Sequence, residues 1–155
     1  MAAASDNSKP YIPVAGGADD GWSKDGQATA TCYCGAVQLA FPTLGPGLID
    51  TFTCHCTDCR KITASMFATN FVVADTHLRH IRGQENLKVF SHEMLPGHSI
   101  LRTGTVDDFT LHETKLKPRF ELYTKDRVGW LQEATGVAQV KGSAYTPKGQ
   151  GPSGP

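Results

Sequence analysis

The sequence predicts a mainly β single domain with one or two short helices. Its 155 residues are enough for one domain with a modest core. Apolar and polar residues alternate over short segments that are separated by Gly- and Pro-containing turns, which is typical of strands. Helical periodicity is scarce by comparison. The spacing of these segments therefore favours a compact β-rich fold.

The expected strands occupy most of the middle of the chain. Residues 36–41 alternate so that Val37, Leu39 and Phe41 fall on one face. A turn is expected over 42–47, where Gly and Pro alternate. The other strands are expected at 29–34, 49–53, 67–74, 86–90, 99–103 and 120–123.

Two short helices are expected as well. One begins near Thr57 or Asp58, either of which can cap it, and runs through Ile62. The other begins at Thr124 and carries Val128 on its apolar side. These elements predict a domain over residues 27–140.

The two ends of the chain differ from this domain in composition. Residues 1–26 are small, polar and Gly-rich, and they predict a flexible N-terminal arm. Residues 141–155 are rich in Gly, Pro and Ser and predict a disordered tail.

Charge and hydropathy restrict the class of partner. Fifteen acidic residues balance fifteen basic ones, so no nucleic acid or anionic membrane partner is expected. No apolar run approaches the ~20 residues of a membrane-spanning helix, and no signal-peptide pattern begins the chain. We therefore expect a cytoplasmic protein, in which clustered thiols favour metal binding or catalysis over disulfides.

The second of two cysteine clusters predicts a metal site. Cys54 and Cys56 point to the same side of an extended segment, and the next turn brings Cys59 to the same point. Three thiolates hold a catalytic-type zinc and leave its fourth position open. Arg60 and Lys61 follow directly, where they can offset the negative charge and bind substrate carboxylates.

Other interpretations of this cluster stay open. Cys56 and Cys59 also form a C-x-x-C pair, which is a redox motif in other sequence contexts. The three cysteines could instead be inert core residues. His55, which lies between two of the ligands, is expected to point away from the metal.

The first cluster, Cys32 and Cys34, supplies two thiolates that can face one metal. Gly35 lets the backbone turn close to a metal, but two thiolates do not complete a zinc site, and no cysteine follows Cys59. The half-site is therefore empty, shares one metal with the second cluster, or is completed by His92 and His98. A second zinc is not required by the sequence.

The pattern C-x-C-G-A-V at 32–37, followed by C-H-C-x-x-C-R-K at 54–61, resembles the glutathione-dependent formaldehyde-activating enzymes. That family includes centromere protein V, and the later segments resemble its fungal members. The resemblance implies a zinc-supported β-tent. It also implies a catalytic zinc on Cys54, Cys56 and Cys59, and a structural zinc on the first pair together with a later C-x-x-C.

This later C-x-x-C segment is absent here. In the family it follows the strand that residues 87–90 resemble. A true deletion, a splice variant and a gene-model error all explain the absence of this segment. The loss of the segment affects the structural zinc, whereas the catalytic cluster is intact.

The resemblance implies a zinc-dependent carbon–sulfur lyase that acts on glutathione–aldehyde adducts such as S-hydroxymethylglutathione. Glutathione or another small thiol is then the expected partner. The alternatives are a non-catalytic zinc-binding interaction module, an enzyme of different chemistry on a thiol adduct or reactive carbonyl, and a truncated inactive isoform. A metal with an open position favours an enzyme, whereas a fourth protein ligand favours the module.

Overall fold

The computed structural model describes residues 18–90 and 95–143. Within these residues nine strands form two sheets, accompanied by two short α-helices. The prediction of a mainly β domain is therefore confirmed. Most of the predicted arm and tail lies outside the described residues, as does His92. No helix in the described part of the chain is long and apolar enough to cross a membrane.

The first sheet is antiparallel and has the strand order β1-β2-β3-β6. Its strands are β1 (Ser23–Lys24), β2 (Gln27–Thr31), β3 (Gln38–Pro42) and β6 (Arg79–Arg82). β1 lies in the range expected as an arm, yet it pairs with β2. The backbone N–H of Trp22 also donates to Thr29 Oγ1 at 2.8 Å, so the chain is attached to the sheet before the first predicted strand.

The second sheet has the order β7-β5-β4-β8-β9. Its strands are β4 (Leu48–Cys54), β5 (Ala68–Ala74), β7 (His98–Arg102), β8 (Phe120–Leu122) and β9 (Ala138–Val140). β4 is central and pairs antiparallel with β5 and parallel with β8. The carboxyl end of β4, at Cys54, therefore lies between two neighbouring strands.

The helical elements match the prediction only in part. α1 (Thr57–Thr63) forms where it was expected, and α2 (Thr110–Glu113) was not foreseen. The helix predicted at Thr124 is wrong: Thr124–Asp126 makes a single 3-10 turn, and the backbone extends again at Arg127. Three more 3-10 turns lie at Asp75–His77, Gln84–Asn86 and Thr103–Thr105.

The strand predicted at 86–90 is also wrong. Gln84–Asn86 makes a 3-10 turn in which the Asn86 N–H donates to the Gly83 carbonyl. Residues 87–90 then form no strand in the described structure. Isolated extended segments gain little without a neighbour to pair with.

The two sheets pack face to face on a small aromatic core. Phe41 of β3 and Phe71 of β5 are fully buried, with ring centroids 4.6 Å apart. Burial of one such side chain contributes roughly 1.5–3 kcal/mol. A second apolar cluster contains Phe52, Val72 and Leu122, and the cysteines of the second motif pack against it. The core thus continues up to the sulfur atoms.

Candidate metal centre

The structure brings the three cysteines of the second motif together. One sulfur from each of Cys54, Cys56 and Cys59 lies within 4.8 Å of the others. Cys54 is the last residue of β4 and is buried. Cys56 is extended (φ −62°, ψ 160°) and is the N-cap of α1, while Cys59 lies in the first turn. The end of β4 and the start of α1 therefore bring the three sulfurs together.

Cys56, rather than Thr57 or Asp58, caps α1. Its sulfur accepts a hydrogen bond from the Cys59 backbone N–H at 3.4 Å. Side chains that accept from the first N–H groups of a helix satisfy donors that have no partner within the helix. The cap thus holds the second sulfur over the turn that carries the third.

The chemistry of this group fits zinc. Sulfurs about 2.3 Å from a tetrahedral zinc are about 3.8 Å from one another, which agrees with the 4.8 Å limit observed here. No histidine or carboxylate within residues 18–90 and 95–143 joins the group. Three protein ligands with the fourth position open are typical of catalytic rather than structural zinc.

Cys54 and Cys59 do not hold their protons equally. The Cys54 thiol donates toward the Cys59 sulfur, and this contact outweighs burial and lowers the pKa of Cys59 to about 6. The same contact, together with burial, raises the pKa of Cys54. Cys59 therefore ionises before Cys54, and thiolate is the form that binds metal.

A basic residue that the sequence did not single out lies beside this cluster. The guanidinium of Arg102, at the end of β7, contacts Cys59 and contributes to lowering its pKa. Arg102 also donates to the side-chain oxygen of Asn70, its partner on β5. The pairing of β7 with β5 places this charge here, and no spacing in the sequence indicates that pairing.

His55 points into the protein and is fully buried. Its Nε2 lies 2.6 Å from Glu121 Oε1 on β8, so it is not part of the sulfur group, as predicted. Glu121 also accepts from Arg127, from the Ala134 N–H and from Gln139. The residue between two cysteines therefore attaches their loop to the C-terminal strands.

Arg60 and Lys61, the predicted substrate-binding residues, both lie on α1. The Arg60 guanidinium donates to the backbone carbonyl of Asp126 and is half-buried, whereas Lys61 is exposed. Arg60 thus connects α1 to the 3-10 turn at Thr124–Asp126. A role in substrate binding stays a prediction for both residues.

The first cluster lies in the turn between β2 and β3. The sulfurs of Cys32 and Cys34 are 3.3 Å apart. Burial acts to raise the pKa of Cys32, but the Val37 N–H and the Cys34 thiol outweigh it, so that this pKa lies below its usual value. His98, suggested as a substitute ligand, lies on β7 and its Nδ1 is 2.9 Å from the Pro96 carbonyl. It joins no group of three metal donors in the described structure.

Comparison with known families agrees with this geometry. Residues 27–98 match the model of the glutathione-dependent formaldehyde-activating enzyme family. The match covers 72 of the 155 residues. The resemblance inferred from the cysteine motifs is therefore confirmed. No curated protein matches the chain.

The matched region contains both cysteine clusters, α1 and the strands β2 to β6. Arg102 and Glu121 lie beyond residue 98, in the part of the chain that the family model does not cover. The chain thus combines a family cysteine arrangement with contacts contributed by its own C-terminal third.

Proposed function

We propose that this protein is a zinc-dependent carbon–sulfur lyase that acts on a glutathione–aldehyde adduct of the S-hydroxymethylglutathione type. The observation that supports this most directly is the group of three sulfurs, which no fourth donor from residues 18–90 or 95–143 joins. The family match over residues 27–98 adds an association with glutathione and formaldehyde. The reaction itself is inferred, because a fold or family defines a site better than a substrate.

Cys54, Cys56 and Cys59 are the residues that hold the metal in this proposal. A bound zinc supplies a Lewis acid with an open position for a thiol or a carbonyl oxygen. In the forward direction the glutathione sulfur adds to the aldehyde carbon, and the thiol proton ends on the carbonyl oxygen. The reverse direction breaks the same C–S bond, so atoms and electrons balance without another reactant.

The surrounding residues have supporting roles. Arg102 contacts Cys59 and offsets the net charge of about −1 that three thiolates and one zinc carry. The His55–Glu121 contact fixes the loop between the first two ligands. Lys61 is exposed on α1 and is available for the carboxylates of glutathione, whereas Arg60 is held at the Asp126 carbonyl.

Metal content and exchange kinetics of matched cysteine variants test this function. Zinc-loaded protein is expected to accelerate the exchange between glutathione, formaldehyde and their adduct, measured by exchange NMR spectroscopy. Cys56→Ser is expected to lose the zinc and to return exchange to the uncatalysed rate. Cys34→Ser removes a thiol from the other cluster and is the matched control, with zinc and rate retained.

Two results would contradict the proposal. If the wild-type protein binds no zinc when purified under reducing conditions, the metal centre is wrong. If it binds one zinc through Cys56 but leaves the exchange at its uncatalysed rate, the lyase assignment fails and the non-catalytic zinc module is favoured.

A further inference from the structure

The turn that joins β2 and β3 presents two cysteine sulfurs to solvent. The Gly35 N–H donates to the Cys32 carbonyl at 2.8 Å, and Gly35 has a φ of 76°. This closes a tight turn over Cys32–Gly35 and brings the two sulfurs to 3.3 Å. Cys34 is exposed and Cys32 is half-buried.

The pair does not fit the structural zinc that the family resemblance implies. A closed structural site requires four donors, and within the described residues no further histidine, cysteine or carboxylate gathers with these two sulfurs. A positive charge is present instead: Arg82 donates from Nε to the Gly35 carbonyl at 2.8 Å. Its charge, which an ion pair with Asp20 offsets in part, disfavours a divalent cation at the same turn.

We propose that Cys32 and Cys34 form a redox-active dithiol that is oxidised to an internal disulfide by exchange with a small aliphatic disulfide. The sulfurs must approach each other by only about 1.3 Å to reach bonding distance. Exposure of Cys34 gives the oxidant access. This activity does not depend on the metal centre at Cys54, Cys56 and Cys59.

The exchange proceeds in two balanced steps. The Cys34 thiolate attacks one sulfur of the small disulfide, which forms a mixed disulfide and releases one small thiol. The Cys32 thiolate then attacks the Cys34 sulfur, which forms the Cys32–Cys34 bond and releases the second thiol. The protein loses two electrons and two protons, and the small disulfide gains both.

An open cleft beside the turn has room for such a reactant. Its lining includes Cys34, Gly35, Asp19, Asp20 and Arg82. Arg82 is held there by its ion pair with Asp20. Glutathione disulfide carries both carboxylates and ammonium groups, which have opposite charges available in Arg82 and in the two aspartates.

The test uses the full chain, zinc-loaded, with glutathione disulfide as the oxidant. After incubation the free thiols are alkylated, and peptide mass spectrometry counts them for each cysteine. We expect alkylation to be lost at Cys32 and Cys34 together and the peptide that contains both to lose two hydrogens. Alkylation is expected to return after excess reduced glutathione.

Single variants identify the order of steps. Cys32→Ser is expected to stop at a stable mixed disulfide on Cys34, because the resolving thiol is missing. Cys34→Ser is expected to react far more slowly, since the remaining thiol is half-buried. If the Cys32→Ser protein gains no glutathione although the wild-type protein forms the internal disulfide, this order of steps is wrong.

Three results with the wild-type protein would overturn the proposal, whatever the variants do. The first is that both thiols remain open to alkylation in glutathione disulfide. The second is that they are alkylated only after a chelator is added, which shows a bound metal. The third is a disulfide that joins two copies of the chain rather than Cys32 to Cys34.

Discussion

Arg102 places a positive charge beside three clustered sulfurs, and its effect on metal binding can be measured. At an effective dielectric constant of about 20, unit charges 4 Å apart interact by about 4 kcal/mol. Arg102 is half-buried, so solvent reduces this interaction. We expect Arg102→Gln to weaken zinc binding about tenfold, or roughly 1.4 kcal/mol, in competition with a chromophoric chelator.

Arg79→Gln is the matched control for this change. Arg79 lies on β6 in the other sheet, is exposed, and donates to Gln27 Oε1. The substitution removes the same charge from the protein but leaves the cluster alone, so zinc affinity is expected to stay at the wild-type value. Equal affinities for the two variants would show that Arg102 does not stabilise the metal centre.

Gly83 follows β6 and packs against Ala36, next to the turn that carries the first cysteine pair. Its φ is 70°, and a Cβ at this position would lie 1.9 Å from the Ala36 carbonyl oxygen. The backbone must therefore move to accept any side chain. We expect Gly83→Ala to lower the free energy of unfolding by about 3 kcal/mol or more, measured by urea denaturation.

Gly136→Ala separates backbone strain from this steric clash. Gly136 has a nearly identical φ of 73°, but nothing lies within 4 Å of its added Cβ. Only the left-handed backbone penalises alanine there, at a cost of roughly 1 kcal/mol. If both variants lost the same stability, the contact between Gly83 and Ala36 would be without consequence.

Elements with a local cause were predictable. The alternation of apolar and polar residues identified β3 and β5. The cysteine cluster and the capping residues within it identified α1. The helix cap itself was assigned to Thr57 or Asp58, because hydroxyl and carboxylate oxygens are the usual caps, whereas the structure uses the Cys56 sulfur. β6, with the sequence Arg-His-Ile-Arg, was missed because its side chains are mostly exposed and carry no apolar alternation.

Contacts between distant parts of the molecule were not predictable from spacing. The convergence of Cys54, Cys56 and Cys59 is local and was foreseen. The approach of Arg102 depends on β7 pairing with β5, and that of Glu121 on β8 pairing parallel to β4. Parallel pairs have no hairpin turn that fixes their register, so nothing in the sequence near His55 indicates its partner.

Glu121 connects the whole C-terminal segment to the metal-binding loop. It is buried and contacts His55, Arg127, Gln139 and the Ala134 N–H. Burial acts to raise its pKa, but hydrogen bonds from Gln139, the Ala134 N–H, Arg127 and His55 outweigh it and lower the pKa to about 2. Folding therefore favours the carboxylate over the protonated acid.

Stability should accordingly depend on pH through this group. Because the pKa is lower in the folded state than the usual 4.5, the stabilisation is complete above about pH 4.5 and is lost as the pH falls towards 2. At neutral pH it amounts to about 3 kcal/mol. We expect Glu121→Gln to be less stable than wild type by up to that amount at pH 7, with the difference shrinking towards pH 2.

Urea denaturation of the wild-type and Glu121→Gln proteins across this pH range measures the difference in stability. Loss of zinc in acid affects both proteins alike. Glu133→Gln is the control, because Glu133 is exposed and lies 3.9 Å from the same Arg127. This substitution removes an equal charge outside the buried network, and exposed ion pairs contribute little to stability. The stability of the Glu133→Gln protein should therefore equal that of wild type at every pH. A Glu121→Gln difference that stayed constant with pH would mean that the network stabilises the fold by packing rather than by the carboxylate charge.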